Sequence, residues 1–536
     1  MKHSSNLLLN QTSKIVGVSF LVGSALFLSP VLAVNVLTQH NNLARTGANT
    51  AETILTPSDV NSNNFGKLFT DSVDGLVYAQ PLYVENLSIA GGTHNVVFVC
   101  TENNSVYALD ADAGSTTYWH VNLGTPFSPS CGDLTPVVGI TGTPVIDLSS
   151  GTLYVDTKLA AGPAQKLHAL DIATGGEKLG GPVTIAASSF SASVQHQRPG
   201  LLLLNGVVYV SFGSHCDQGG YHGFVLGYNA TNLSRIAAFN VTSTGSMGAV
   251  WSGGMGPAAD SAGNIYIMTG NGSFDGSANF GESMVKLNGN LVVQDYATPA
   301  NWSSLNAGDT DFGSGGAVLL PAHYAAGMGK DGNIYLADVN NMGHVGHFAQ
   351  QFAAQSSGNT VGASPVYWQG PNQQYIFASH SNGKTKSFSF TGTNILTTPL
   401  GTASFSQSDR CGGLSLSANG TSNGILWEIG SDSNLRAYDA LNFPKLLWSG
   451  SVGTYVKMTC PTIANGRVYV GTSSNVGVWG LTKFLYIQTV PPKVVLNWAG
   501  GTLMQTTNLL GPWVTNSAAS PYVVSPTNTQ MFYRLQ

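Results

Sequence analysis

The sequence predicts an all-β fold: an eight-bladed β-propeller closed by an N-terminal strand, followed by a small C-terminal β-module. Three observations carry this. A strand built around one aromatic recurs eight times, Gly and uncharged polar residues stand in for charge, and the last repeat is one strand short while a spare strand precedes the first. The aromatics are Phe98, Tyr154, Tyr209, Tyr266, Tyr335, Phe377, Trp427 and Tyr469, at intervals of 56, 55, 57, 69, 42, 50 and 42 residues. Such a unit cannot bury both faces alone, and radial stacking of four-stranded sheets buries them.

The chain opens with Lys2 and Lys14, an apolar run from residue 15 to 28, and Val31-Leu32-Ala33. A basic start, a short apolar core and a small residue at a V-x-A site predict a secretory signal over residues 1–33, cut after Ala33. The propeller is expected over residues 34–483. Its units open on Gly- or Pro-marked apolar strands, such as GTPVID and TCPTIA, which suit crowded inner positions. The aromatic strand follows. Several units then end in Ala-Leu/Tyr-Asp and a turn, where Asp110, Asp171 and Asp439 can accept backbone amides. Trp119 and Trp448 follow these turns and are expected between blades. The eighth unit holds three strands, so residues 65–73 are expected to supply the fourth and remove an open edge. After Pro491-Pro492 the short β-type runs of residues 484–536 predict a second, smaller module.

Net charge is −5 and only 9% of residues are charged, so nucleic acid is not an expected partner. No later segment reaches membrane-spanning length. The expectation is an exported monomer: secreted, periplasmic or at the cell surface. Export permits disulfides, and five cysteines leave at least one unpaired in a monomer. Adjacent inner strands predict a Cys411–Cys460 bridge. Cys131 and Cys216, in neighbouring units, are the second candidate pair, and Cys100 is expected to stay a buried thiol.

ALDIATGG (residues 169–176) and ALDADAG (residues 108–114) resemble the A-x-D-x-x-T-G signature of the PQQ-like β-propeller repeat. GITGTPVID, RPGLLLLNGVVYV, GPAADSAGNIYIMTGNGSFDG, GKDGNIYLADVNNMG, SANGTSNGILW and PTIANGRVYVGT look like one exported bacterial branch of that family. The tail resembles a short surface-type C-terminal module. The resemblance implies two functions. A quinoprotein dehydrogenase would need PQQ, cations for its carboxylates, a flat floor, Ca²⁺ held by hard oxygen ligands, and a carboxylate base. This chain has neither the adjacent cysteines of the large alcohol-oxidising members nor a haem-attachment motif. The leading reading is therefore a non-catalytic binding or scaffold propeller recognising a glycan, peptide or envelope partner, with a PQQ- and Ca²⁺-dependent alcohol or sugar dehydrogenase as the alternative.

The candidate ligand-binding residues are Arg198, His215, Asp217 and His222 of the third unit, Trp251 of the fourth, and Asp309 and Asp311 before the fifth. An Arg with several His beside an indole suits a small anion or carbohydrate. Each has a plainer reading: Asp309 and Asp311 as turn acceptors, the His/Asp group as a hydrogen-bonded loop, Trp251 as packing. The His215–Asp217–His222 spacing matches no zinc pattern, and no metal site is expected. Arg410 precedes the seventh inner strand.

Overall fold

In the computed structural model the described residues are 16–19, 34–132, 134–356, 364–408, 411–483, 485–490, 492–498, 500–525 and 530–535. Arg410 and the signal segment, apart from residues 16–19, lie outside them. Eight sheets of four or five strands, each built on an antiparallel meander, follow one another along the chain. Within the first, Leu82–Ile89, Gly92–Cys100, Ser105–Asp110 and Thr117–Asn122 pair in order, and the other seven elaborate this meander. The aromatic strands read as second strands everywhere except in the fifth sheet. There Tyr324–Met328 takes the second place, and Tyr335 sits on the third strand, Asn333–Asp338.

Hydrophobic cores form between consecutive sheets because each sheet presents apolar side chains on both faces. Tyr154 and Leu167 of sheet two pack on Phe224 and Leu226 of sheet three. Tyr209 of sheet three meets Ile265 and Val285 of sheet four. The pattern continues to sheet eight, where Val468 and Trp479 pack on Trp427 of sheet seven, and Tyr469 packs on the first-sheet core. The ring is closed, and the fold is a β-propeller.

Closure comes from Phe65–Ser72, which pairs antiparallel with Asn475–Leu481 and completes sheet eight. Phe65 then stands edge-on to Trp448, 5.0 Å between centroids, and 5.4 Å from Trp427. Trp119 also bridges neighbouring sheets, donating its indole N–H to Ile172 O (2.9 Å). Asp110, Asp171 and Asp439 accept the amides of Ala113, Ala173 and Leu441 in their turns, as the repeat signature requires.

One element was not foreseen. Residues 36–49 run past the innermost strands of the whole ring. Val36 exchanges two backbone bonds with Tyr83 of sheet one, and Ile146 of sheet two donates to Leu37 O. Ala259, Leu319, Tyr367 and Leu416 of sheets four to seven donate to the carbonyls of Leu43, Ala44, Thr46 and Gly47. Asn49 Nδ2 donates to Ile463 O of sheet eight (2.7 Å). Sheet three is reached by a side chain. Arg45, fully buried, donates from Nη2 to Leu201 O (3.1 Å), from Nε to Pro257 O (2.9 Å), and from Nη1 to Thr38 Oγ1 and Gln39 O (both 2.7 Å). The strap ties every sheet to one strand of chain.

The C-terminal residues form two small sheets, Tyr486–Val490 with Lys493–Asn497 and Tyr522–Val524, and Leu503–Thr506 with Val514–Thr515 and Gln530–Leu535. Val16–Ser19 pairs along Gln530–Leu535. The junction is made by Arg467, which ion-pairs with Asp112 (2.8 Å) and lies 4.0 Å over the Tyr486 ring. No helix among the described residues is long and apolar enough to cross a membrane.

The structure bridges Cys131 and Cys216. It does not bridge Cys411 and Cys460, which are buried thiols like Cys100. The two thiols line one axial cavity, but the strap intervenes in their chemistry. Cys460 Sγ faces His40 Nε2 (3.6 Å) and Gln39 Nε2 (3.9 Å), while Cys411 accepts a bond from Ser381 (3.8 Å).

Candidate functional site

Strand ends of the first three sheets gather ionisable side chains in the interior. Glu102 and Lys158 each stand four residues past the aromatic of their sheet, and both are buried. Glu102, fully buried, accepts the Gly139 amide (2.6 Å) and the Thr141 hydroxyl (2.8 Å). Thr141 Oγ1 also lies 3.0 Å from His196 Nε2. Because the hydroxyl proton goes to Glu102, His196 is the donor through Nε2. Its Nδ1 is left buried without a hydrogen-bond partner. The His196 and His215 rings stack at 4.5 Å, and His215 Nε2 sits 2.6 Å from Lys158 Nζ. Lys158 also donates to Gln195 O (2.7 Å) and caps the Phe127 ring at 4.4 Å.

Burial dominates the electrostatics here. It raises Glu102 to about 7 against the opposing pull of the Gly139 and Thr141 bonds and the charges of Arg198 and Lys457. It lowers Lys158 to about 7, with Asp156 pulling the other way. His196 is pushed well below its usual range by burial, then by His215, Arg198, Lys158 and Lys457. Arg198, Lys158 and Lys457 thus all act on the stacked His196 and His215 pair, and the buried carboxyls of Glu102 and Asp156 are both raised beside them.

A second group adjoins the first through Trp251. The Arg198 guanidinium lies 4.9 Å over the Trp251 ring, and the indole N–H donates to Asp311 Oδ1 (3.2 Å). Asp311 also accepts the Asn271 amide (2.8 Å) and pairs with Lys330 (2.6 Å). Lys330 reaches the exposed Asp309 as well (3.2 Å), which takes Asn271 Nδ2 at 2.6 Å. Asp217 accepts the Tyr221 hydroxyl (2.5 Å), and burial raises its carboxyl, with Asp311 and Asp309 contributing. Glu282 accepts the Phe312 amide (2.6 Å) and is raised to about 9 by burial and by Asp311.

Among the seven candidates, Arg198, Trp251 and Asp311 form one contact chain, and Asp309 joins it through Lys330. His215 belongs to the Lys158–His196 group, and Asp217 neighbours Asp311 electrostatically. His222 does not join either group: its Nδ1 turns to Thr242 O and Oγ1, at 3.0 and 3.1 Å. Asp309 and Asp311 are not simple turn acceptors, since their carboxylates bind Lys330, Asn271 and Trp251. Glu102, Lys158, Lys330 and Lys457 were missed. Their sheets are far apart in sequence, and only the shared offset from the aromatic, visible for Glu102 and Lys158, marked any of them.

The fold family raises the question of PQQ with Ca²⁺. The cations and the indole suit an aromatic polycarboxylate. The oxygen ligands do not suit calcium as they stand, because Lys330 holds Asp311. No three His, Cys, Asp or Glu among the described residues come together to hold a metal ion.

No protein-family model matches the chain, and no curated protein does. Solved structures do. The chain is similar to quinohemoprotein alcohol dehydrogenase ADHIIG from Pseudomonas putida HK5 (TM-score 0.61, 15% identity, 84% of this chain and 80% of that one). It is similar to a europium-containing methanol dehydrogenase (TM-score 0.59, 13% identity, 83% and 98%). It is also similar to BamB from Moraxella catarrhalis (TM-score 0.50, 15% identity, 78% and 99%). At these identities the likeness is one of fold, the β-propeller.

Proposed function

We propose that the protein is an exported, non-catalytic binding propeller, its eight sheets being eight blades, and that it recognises an anionic group on a glycan, peptide or envelope partner. The observation that carries this reading is the concentration of Arg198, Lys158 and Lys457 about the stacked His196 and His215 rings, with Arg198 over Trp251, in a chain with only 9% charged residues. Cations held in a low-dielectric interior attract an anion far more strongly than surface lysines do. The indole supplies an apolar wall, as small-molecule sites commonly require. Mass spectrometry of protein isolated from its native host tests this: a co-purified acidic ligand is expected.

A PQQ- and Ca²⁺-dependent dehydrogenase is the second reading. It is favoured by two buried oxygens without partners, Asn271 Oδ1 and Glu282 Oε1, both attached to the Asp311 neighbourhood. A cation recruiting them would have to displace Lys330. Quinone absorbance in the isolated protein, or dye reduction after PQQ and Ca²⁺ are added, selects this reading over the first.

A further inference from the structure

The strap begins at a backbone nitrogen that faces a carboxylate. Val34 N donates to Glu85 Oε2 at 3.0 Å, and Glu85 N returns a bond to Asn35 Oδ1 at 2.8 Å. The Val34 side chain is buried in the first-sheet core, and Val36 pairs with Tyr83 two residues later. The residue that the sequence marks as first after cleavage is therefore seated against the innermost strand of sheet one, with its nitrogen on a half-buried acid.

We propose that Val34 is the mature N-terminus and that its α-ammonium is a structural cation bound by Glu85, which anchors the strap that ties the eight sheets. An exporting leader peptidase hydrolyses the Ala33–Val34 peptide bond. Water supplies the hydroxyl that leaves with Ala33 as a carboxylate, and its protons complete the Val34 ammonium. The neutral amide donor of the precursor becomes a charged group with three donors at the same point. Charge-assisted bonds of this kind are about twice as strong as neutral ones. The same cleavage removes Val16–Ser19 from the edge of Gln530–Leu535, while the Val34 contact on the propeller stays and becomes charged.

The test begins with the full chain produced in an exporting host and the sequence of its mature N-terminus. Val34 is the expected first residue, and any other start, or an uncut chain, overturns the proposal. Glu85→Gln is then compared in the mature chain and in one carrying a Gly-Ser extension before Val34. The proposal expects Glu85→Gln to lower the melting temperature by about 1–2 °C in the mature chain, the scale of one charge-assisted contact in a protein of this size. In the extended chain the loss should be no more than about a third of that, because the amide there gives a single neutral bond. Equal losses in both chains overturn the ion pair.

Discussion

Arg45 offers the sharpest perturbation of the architecture. Its guanidinium is fully buried and donates to three carbonyl oxygens and one hydroxyl, and burial lowers it to about 9. It stays protonated at pH 7, and holding that charge inside costs about 5 kcal/mol relative to an ordinary arginine. Four bonds to a charged donor contribute about 1.5–3 kcal/mol each before that cost. Arg45→Ala removes the bonds, orphans acceptors on sheets three and four and on the strap itself, and opens a cavity. A net loss of about 3–5 kcal/mol follows, since breaking a buried charged network leaves its partners unsatisfied. Arg45→Met keeps much of the volume and sheds the burial cost of the charge, so it should lose roughly half as much. Urea unfolding followed by tryptophan fluorescence measures both. An Arg45→Ala midpoint equal to the parent's would refute the strap as the tie between sheets.

Phe65→Ala should cost about 3–5 kcal/mol through its lost contacts with Trp448 and Trp427, whereas removing residues 484–536 should leave the propeller transition nearly in place; calorimetry of the two separates closure from the module. Glu102 should make stability pH-dependent. Its folded value, raised from 4.5 to about 7, means the native state binds the extra proton between those values, so stability falls as pH rises through them, by about 3 kcal/mol. Glu102→Gln should flatten that slope in urea titrations. Lys158, lowered from 10.5 to about 7, acts oppositely: the unfolded chain binds more protons above pH 7, stability climbs toward pH 10, and Lys158→Met should remove the climb. Finally, peptide mapping without reduction should find Cys131 joined to Cys216 and three free thiols, and replacing that pair by serine should cost about 2–4 kcal/mol.

The ring was legible in the sequence because it is written in repeats. The aromatics, the Asp turns and the missing fourth strand of the last unit each report a local rule, and residues 65–72 close the ring as that arithmetic required. The strap was not legible. It bonds through backbone carbonyls and one buried Arg rather than through apolar alternation, so QHNNLARTGAN reads as a polar linker. His40, Asn41 and Arg45 adopt positive φ there, which no propensity announces. The fifth sheet was misread because YAAGM, with only Tyr324 and Met328 of any size, carries little apolar signal and yet forms its second strand. The Cys411–Cys460 expectation rested on neighbouring inner strands coming close at the axis, but Cys460 Sγ faces His40 and Gln39 of the strap and Cys411 takes a bond from Ser381. At the site, types and loops pointed to Arg198, Trp251 and Asp311, but their partners come from other sheets. Only folding brings Lys158 to His215 or Lys330 to Asp311.

The claim that Arg198 and its neighbours form a binding site, rather than a self-satisfied core, is tested most directly by native mass spectrometry of the parent and Arg198→Ala proteins purified from the native host. The account predicts an acidic small-molecule or glycan adduct on the parent and its loss from a variant that still folds. An adduct-free parent, together with a variant destabilised by the roughly 1–3 kcal/mol that orphaned buried polar groups impose, would contradict it.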